Sequence, residues 1–150
     1  MDWFSKAFLK SSLVWLALGV TLGLVMSLNP AWQVYRPAHL HMNLLGFVAM
    51  MIFGVAYHVI PRFTGHALFS TKLAGAHWWL ANVGLVLFIC GLMARLPGNS
   101  AQVAVGLGGA LSAMSAYVFV YNMWRTINAQ AVPKLVGIAA PGALNAAKGR

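Results

Sequence analysis

Two histidines stand two residues apart, His39 and His41, at the mouth of a long apolar run that reads RPAHLHMNLLGFVAMMIFGVAYHVIPRF from Arg36 to Phe63. Imidazole is costly among hydrocarbon, so an intramembrane histidine is a functional candidate by default. On a helix, positions i and i+2 differ by about 200° of rotation. The pair therefore points to nearly opposite faces and cannot chelate one ion from one helix. It suits two separate sites, one on each side. The alternative for each residue is an interfacial histidine touching headgroups or water, and it is stronger for His39, nearer the end, than for His41.

Neutral imidazole between apolar helices suits axial ligation of heme. Histidine nitrogen tunes the iron potential, the macrocycle needs a flat apolar slot, and its propionates need cations or water. Arg36 and Arg95 can pair with propionates; both also fit ordinary interfacial anchoring. Three further histidines form a weaker inner group. His58 beside Tyr57, and His66 in FTGHALF, read as interfacial. His77 opens HWWLANVG, where aromatics are an ordinary membrane belt, with a quinone or inner-metal contact as the alternative. His41 and His58 are separated by about 25 Å of helix, so they serve no common metal in one chain.

The elements that carry these residues are membrane spans. The chain has 150 residues, 61% of them hydrophobic and 7% charged, with Asp2 its single acid. A soluble domain carries about a quarter charged residues. Four apolar runs are expected to form an all-α, integral membrane four-helix bundle: about Phe8–Leu28, His39–Ile60, His77–Leu96 and Gln102–Ile127. Each has roughly the 20 residues needed to cross a bilayer. Asn29–Pro30, Ile60–Gly65 and Leu96–Ser100 punctuate them. Residues 1–128 form the expected heme-binding domain, and residues 129–150 a flexible basic tail rich in Ala, Gly and Pro. Lys6 and Lys10 before the first run also fit a signal peptide, but its core is long and no clear cleavage site follows at once, so it reads as an anchor.

The net charge of +9 lies between the apolar runs rather than along one stripe. That pattern belongs to membrane topology, and no nucleic-acid partner is expected. Lys6, Lys10, Arg62, Lys72, Arg125, Lys134, Lys148 and Arg150 fall on one side of a four-span chain, and Arg36 and Arg95 on the other. Both termini are then cytoplasmic, and His39 and His41 lie near the outer surface. Cys90 lies inside an apolar run and forms no intrachain disulfide.

The stretch AHLHMNLLGFVAMMIFGVAYHVIPRFTG resembles the tenth helix of the catalytic subunit of heme-copper oxidases, especially the cbb-type cytochrome c oxidases. HWWLANVGLVLFICGLMA is similar to the eleventh helix, and GLGGALSAMSAYVFVYNMWRTI to the twelfth. The likeness covers Ala38 to Ile127, and H-x-H with LLGF and YHVIPRF is its specific part. It implies that His39 matches the proximal ligand of the high-spin heme, and His41 a ligand of the low-spin electron-transfer heme.

Nothing here resembles the family's copper-bearing helices or the early helix with the second low-spin ligand. Oxygen reduction by these residues alone is not expected, nor is copper. No carboxylate lies in any span to support proton pumping. The resemblance leaves half of a heme b (iron) site. Its missing axial ligand has three possible sources: His41 of a second copy in a homodimer or higher oligomer, a thioether from Met26 or Met93, or a partner subunit. Gly19 and Gly23, and Gly108, Ser112 and Ala116, form small-residue faces that serve either oligomers or packing inside one bundle.

The leading expectation is a heme b protein of the bacterial inner membrane, embedded in lipid, carrying electrons near the outer face to or from a cytochrome c or a quinone. The alternatives are one part of a split terminal oxidase or nitric oxide reductase, a heme-based sensor of NO, O2 or CO, and a heme-free assembly factor.

Four spans require that the ends of the chain share one side and that the loop after the third span face the other. Cysteines placed at Ser100 and appended at the C-terminus should label from opposite sides of the membrane. Labelling of both from one side would contradict four spans.

Overall fold

The computed structural model describes residues 1–94 and 100–129. Arg95, like the tail expected over 129–150 except for Ala129, lies outside the described residues. Within them the chain is all helical, and four helices are long and apolar enough to cross a membrane. Helix α1 is Trp3–Leu28. The second span is continuous from Pro30 to Thr64. It begins as a 3₁₀ turn, Pro30–Tyr35, continues as α2, Arg36–His41, passes through a π-helical stretch, Met42–Ala49, and ends as α3, Met50–Thr64. Helix α4 is Thr71–Met93 and α5 is Ser100–Ile127. Large apolar side chains such as Phe63, Tyr117 and Trp124 point outward, as a hydrocarbon solvent permits.

The helix limits depart from the apolar runs: α1 begins at Trp3 rather than Phe8, and three further departures have a local cause. The second span begins nine residues before His39, because Asn29 caps it: its side-chain oxygen accepts from the Ala31 amide at 3.0 Å. Pro30 then sits at the first helical position, where its missing N–H costs nothing. His39 is thus not an end-of-helix residue. At the other end the helix passes through Pro61 and stops at Gly65, whose φ of 70° is the left-handed conformation that suits glycine. So Ile60–Pro61 is not the break it resembles, and only Gly65 ends the helix. Finally, α4 starts at Thr71, not at His77, since the Ser70 side chain accepts from the Leu73 amide and caps it.

The four spans pack as two hairpins whose backbones approach closely at glycines. A Cβ on Gly19 would lie 2.7 Å from Asn43 Nδ2, and one on Gly46 would lie 2.6 Å from Trp15 Cβ. In the other hairpin a Cβ on Gly84 or Gly91 would lie 2.8 Å from the amide nitrogen of Ser112 or Val105, and one on Gly108 would overlap the Phe88 backbone. Gly19, Gly23, Gly108 and Ser112 are therefore spent on contacts inside the chain, the packing that small residues permit between membrane helices.

Every span sends an aromatic or imidazole ring into one buried cluster. Phe8 of α1, Phe53 and Tyr57 of α3, His77 of α4 and Phe119 of α5 surround one another, with Phe8 and Phe53 each 4.7 Å from the His77 ring. Edge-to-face and tilted pairs at such spacing add to simple burial.

The turn before α4 is locked to α5. Asn122 Oδ1 accepts from the Ser70 amide at 3.1 Å, its Nδ2 donates to the Ser70 carbonyl at 2.9 Å, and Thr126 Oγ1 accepts from the Phe69 amide at 3.0 Å. Asn122 is fully buried, and Asn122→Ala strands the Ser70 amide, while the Ser70 carbonyl keeps the Ala74 amide at 3.3 Å. The expected loss is about 1–3 kcal/mol, read as a lower Tm by circular dichroism in detergent. An unchanged Tm would show that the turn does not depend on this clamp.

Candidate functional site: two imidazoles on opposite faces of the second span

His39 and His41 lie half-buried on one short helix, α2, and face different neighbours. His39 turns toward α1. Its Nδ1 lies 2.8 Å from the Gly19 carbonyl, and a Cβ on Gly23 would meet its Cε1 at 2.7 Å. Asn43, one turn on, donates to the His39 carbonyl at 2.8 Å. His41 turns toward α4 and α5. Its Nδ1 lies 2.8 Å from the Pro37 carbonyl, and its ring stands edge-on to Phe88 at 4.7 Å. The divergence is the one that two positions along a helix require.

A carbonyl oxygen only accepts, so the 2.8 Å contact of each Nδ1 calls for Nδ1 to donate; Asn43 Nδ2, 3.4 Å from His39 Nδ1, donates to the His39 carbonyl instead. In the neutral rings each Nε2 then keeps a lone pair. Metal-ligating histidines are oriented in this way, the other ring nitrogen donating to a carbonyl or carboxylate. The π-helical stretch begins immediately after His41, and such stretches frequently accompany functional sites. The sequence carries no periodicity signal that marks it.

His41 borders an open groove of about 270 Å3 between the second span and α5. Leu45, Phe88, Gly109, Ala113 and Ala116 make it apolar, and Ser112 lines it too. Ser112 Oγ is buried without a hydrogen-bond partner, and Ser112 also borders a second hollow of about 50 Å3. The donor set fits an axial heme ligand: an oriented imidazole beside a flat wall of small residues. The second span, α4 and α5 each contribute to its lining, and the groove remains open.

The other expected residues are more scattered. Arg36 is exposed at the start of α2, on the same short helix as the two histidines. Met26 is buried in the core and Met93 packs against that core, and neither lines the His41 groove. The inner histidines do not gather, and among the described residues no three His, Cys, Asp or Glu side chains come together as a metal site. His58 receives the Arg62 guanidinium at 2.9 Å, while His66 sits half-buried between α3 and α4.

His77 corrects the interfacial reading. It is fully buried, with Nδ1 3.0 Å from the Tyr57 hydroxyl and Nε2 without a polar partner. Its place one and a half turns inside α4 explains the difference, since the Ser70 cap moves the helix start away from it. With Tyr57 donating, Nε2 carries the proton, and the rings of Phe8 and Phe53 pack against the imidazole.

The chain is similar to known proteins. Residues 33–131 match the family model described as cytochrome c and quinol oxidase polypeptide I. The chain belongs to that family. It is 29% identical to cytochrome c oxidase subunit 1 of Rhodobacter capsulatus, over 69% of this chain and 24% of that protein. It is 31% identical to the cbb3-type cytochrome c oxidase subunit CcoN1 of Stutzerimonas stutzeri, over 61% of this chain and 25% of that protein. This polypeptide I relative thus spans about a quarter of the length of the curated proteins it matches. The matched region contains both His39 and His41.

Gly23 leaves the space that His39 occupies, so Gly23→Ala should push His39 off α1 while leaving His41 in place. The check is modification by diethyl pyrocarbonate, followed by mass spectrometry. His39 should react several-fold faster, with His41 unchanged. Equal protection of both in the variant and the parent would mean that α1 moves instead.

Proposed function

We propose that the chain is an integral-membrane electron carrier of the cytochrome c oxidase type, in which His41 is an axial ligand of a low-spin heme b. The observation that carries this reading is the His41 Nδ1 bond of 2.8 Å to the Pro37 carbonyl beside an apolar groove. Heme b bound there supplies one-electron cycling at iron. The Pro37 carbonyl holds the proton on Nδ1 and keeps Nε2 available. Phe88 restricts the plane of the ring, and Gly109, Ala113 and Ala116 leave the wall flat. Arg36 supplies a cation for the propionates at the same end of the span. The basic-residue asymmetry supports a position of that end at the outer face of a bacterial inner membrane.

The second axial ligand comes from outside this chain in the same proposal. Met26 and Met93 do not line the groove, and the groove is open. A second copy or a partner oxidase subunit would close it. His39 supports a related second reading, that of one piece of a multi-subunit oxidase or nitric oxide reductase. Its imidazole has the same tautomer and serves the opposite face, where a second heme would need it.

His41→Ala should abolish the low-spin optical and paramagnetic resonance spectrum at matched expression. His39→Ala should alter it much less, because its imidazole contacts α1 rather than the groove. Loss of heme from His39→Ala with retention in His41→Ala would reverse the assignment. An unchanged spectrum in both would exclude the pair as ligands. About 0.5 heme per chain in a pyridine hemochrome assay would indicate a site shared across a two-fold axis.

A further inference from the structure

We propose that the seam between α1 and α4 is a binding site for one anionic phospholipid, with its phosphate at Lys10 and an acyl chain laid between the two helices. The seam holds a hollow of about 500 Å3, and neither His39 nor His41 lines it. Lys10 and Ser11 stand at one end, Val14 and Leu18 run along α1, and Trp78 and Asn82 form the opposite wall. From Lys10 to Leu18 the helix rises about 12 Å, enough to seat part of an acyl chain.

The walls are built rather than incidental. Trp78 Nε1 donates to Ser11 Oγ at 3.2 Å across the two helices, and Asn82 Nδ2 donates to the Trp78 carbonyl at 2.9 Å. These bonds hold the indole as a rigid side of the groove. Trp78 stands edge-on to Trp3 at 6.2 Å and to Trp79 at 4.7 Å, a cluster of the kind found at headgroup level. A Cβ on Gly75 would lie 2.9 Å from Trp3 Cζ2, so glycine lets that ring rest on α4.

Charge selects the occupant. Lys6 lies one turn from Lys10 on the same face of α1, and Lys72 borders an adjoining hollow with Trp3 and Trp79. The chain has one acidic residue, Asp2, against ten Lys and Arg. Lys10 on the groove, with Lys6 one turn away and Lys72 on the adjoining hollow, on the side that the basic asymmetry assigns to the anionic cytoplasmic leaflet, favours a phosphodiester with net negative charge over a zwitterion. Long lysine side chains reach such a headgroup while their stems stay among apolar groups.

The test uses the full chain, delipidated in detergent and titrated with dioleoyl phosphatidylglycerol or dioleoyl phosphatidylcholine. Native mass spectrometry counts bound lipid, and circular dichroism reads the Tm. Phosphatidylglycerol should bind about fivefold more tightly, the worth of one cation at an anionic surface, and should raise the Tm more. Lys10→Gln should erase that preference without lowering the lipid-free Tm. Val14→Trp should fill the groove and reduce retention of both lipids. If it does not fold, Lys10→Gln alone decides. Equal binding of the two lipids, or a preference that survives Lys10→Gln, would overturn the proposal. So would efficient cross-linking between copies through a cysteine at position 14 in a Cys90→Ser background, which would make the seam a protein contact.

Discussion

Close approach of helix backbones at glycine governs this structure. In hydrocarbon, helix association gains little from hiding apolar surface, so it depends on dispersion contacts and on hydrogen bonds at short range. Gly19, Gly23 and Gly46 bring α1 against the second span, and Gly84, Gly91 and Gly108 bring α4 against α5. Side chains that would be awkward elsewhere fit into the spaces these glycines leave. His39 occupies the space beside Gly23 and its Nδ1 reaches the Gly19 carbonyl, so the same glycine pair both joins two helices and orients an imidazole.

The two hairpins meet less intimately than the helices within each. Near the inner end they share the ring cluster around His77, which receives a side chain from every span. Toward the other end the second span and α5 diverge, and the His41 groove opens between them. Cohesion at one end and a slot at the other follow from the same packing. Large rings close the gap where Phe53 meets Phe119 at 4.5 Å, and small residues at Gly109, Ala113 and Ala116 leave it open.

Polar groups inside the bundle are satisfied locally wherever the backbone offers a carbonyl. Thr64 and Thr126 bond four residues back and Ser12 and Ser115 three residues back, while Asn122 serves the turn at Ser70. Ser5 Oγ, His66 Nδ1, Ser112 Oγ and His77 Nε2 depart from that pattern among the described residues. Ser112 faces the groove beside His41, and His77 faces a box of rings. A polar group left unpaired in a membrane interior is costly, so these are positions where chemistry or a bound molecule is the natural complement.

Much of this was legible along the chain. Four apolar runs in a chain with one acid required four spans, because charge is excluded from hydrocarbon. The two-residue spacing of His39 and His41 required opposite faces, because a helix turns about 100° per residue. The resemblance carried by H-x-H and the residues after it pointed to the polypeptide I family that residues 33–131 match. The limits of the spans were less legible. Caps at Asn29 and Ser70 act through side-chain bonds to particular amides, and hydropathy does not register them. The tertiary structure alone decided which face each glycine serves, that His77 is core rather than rim, and that both Nδ1 atoms are held by carbonyls. Those facts depend on groups brought together from distant positions, such as Gly19 with His39 and Tyr57 with His77, and a linear pattern carries no distance between helices.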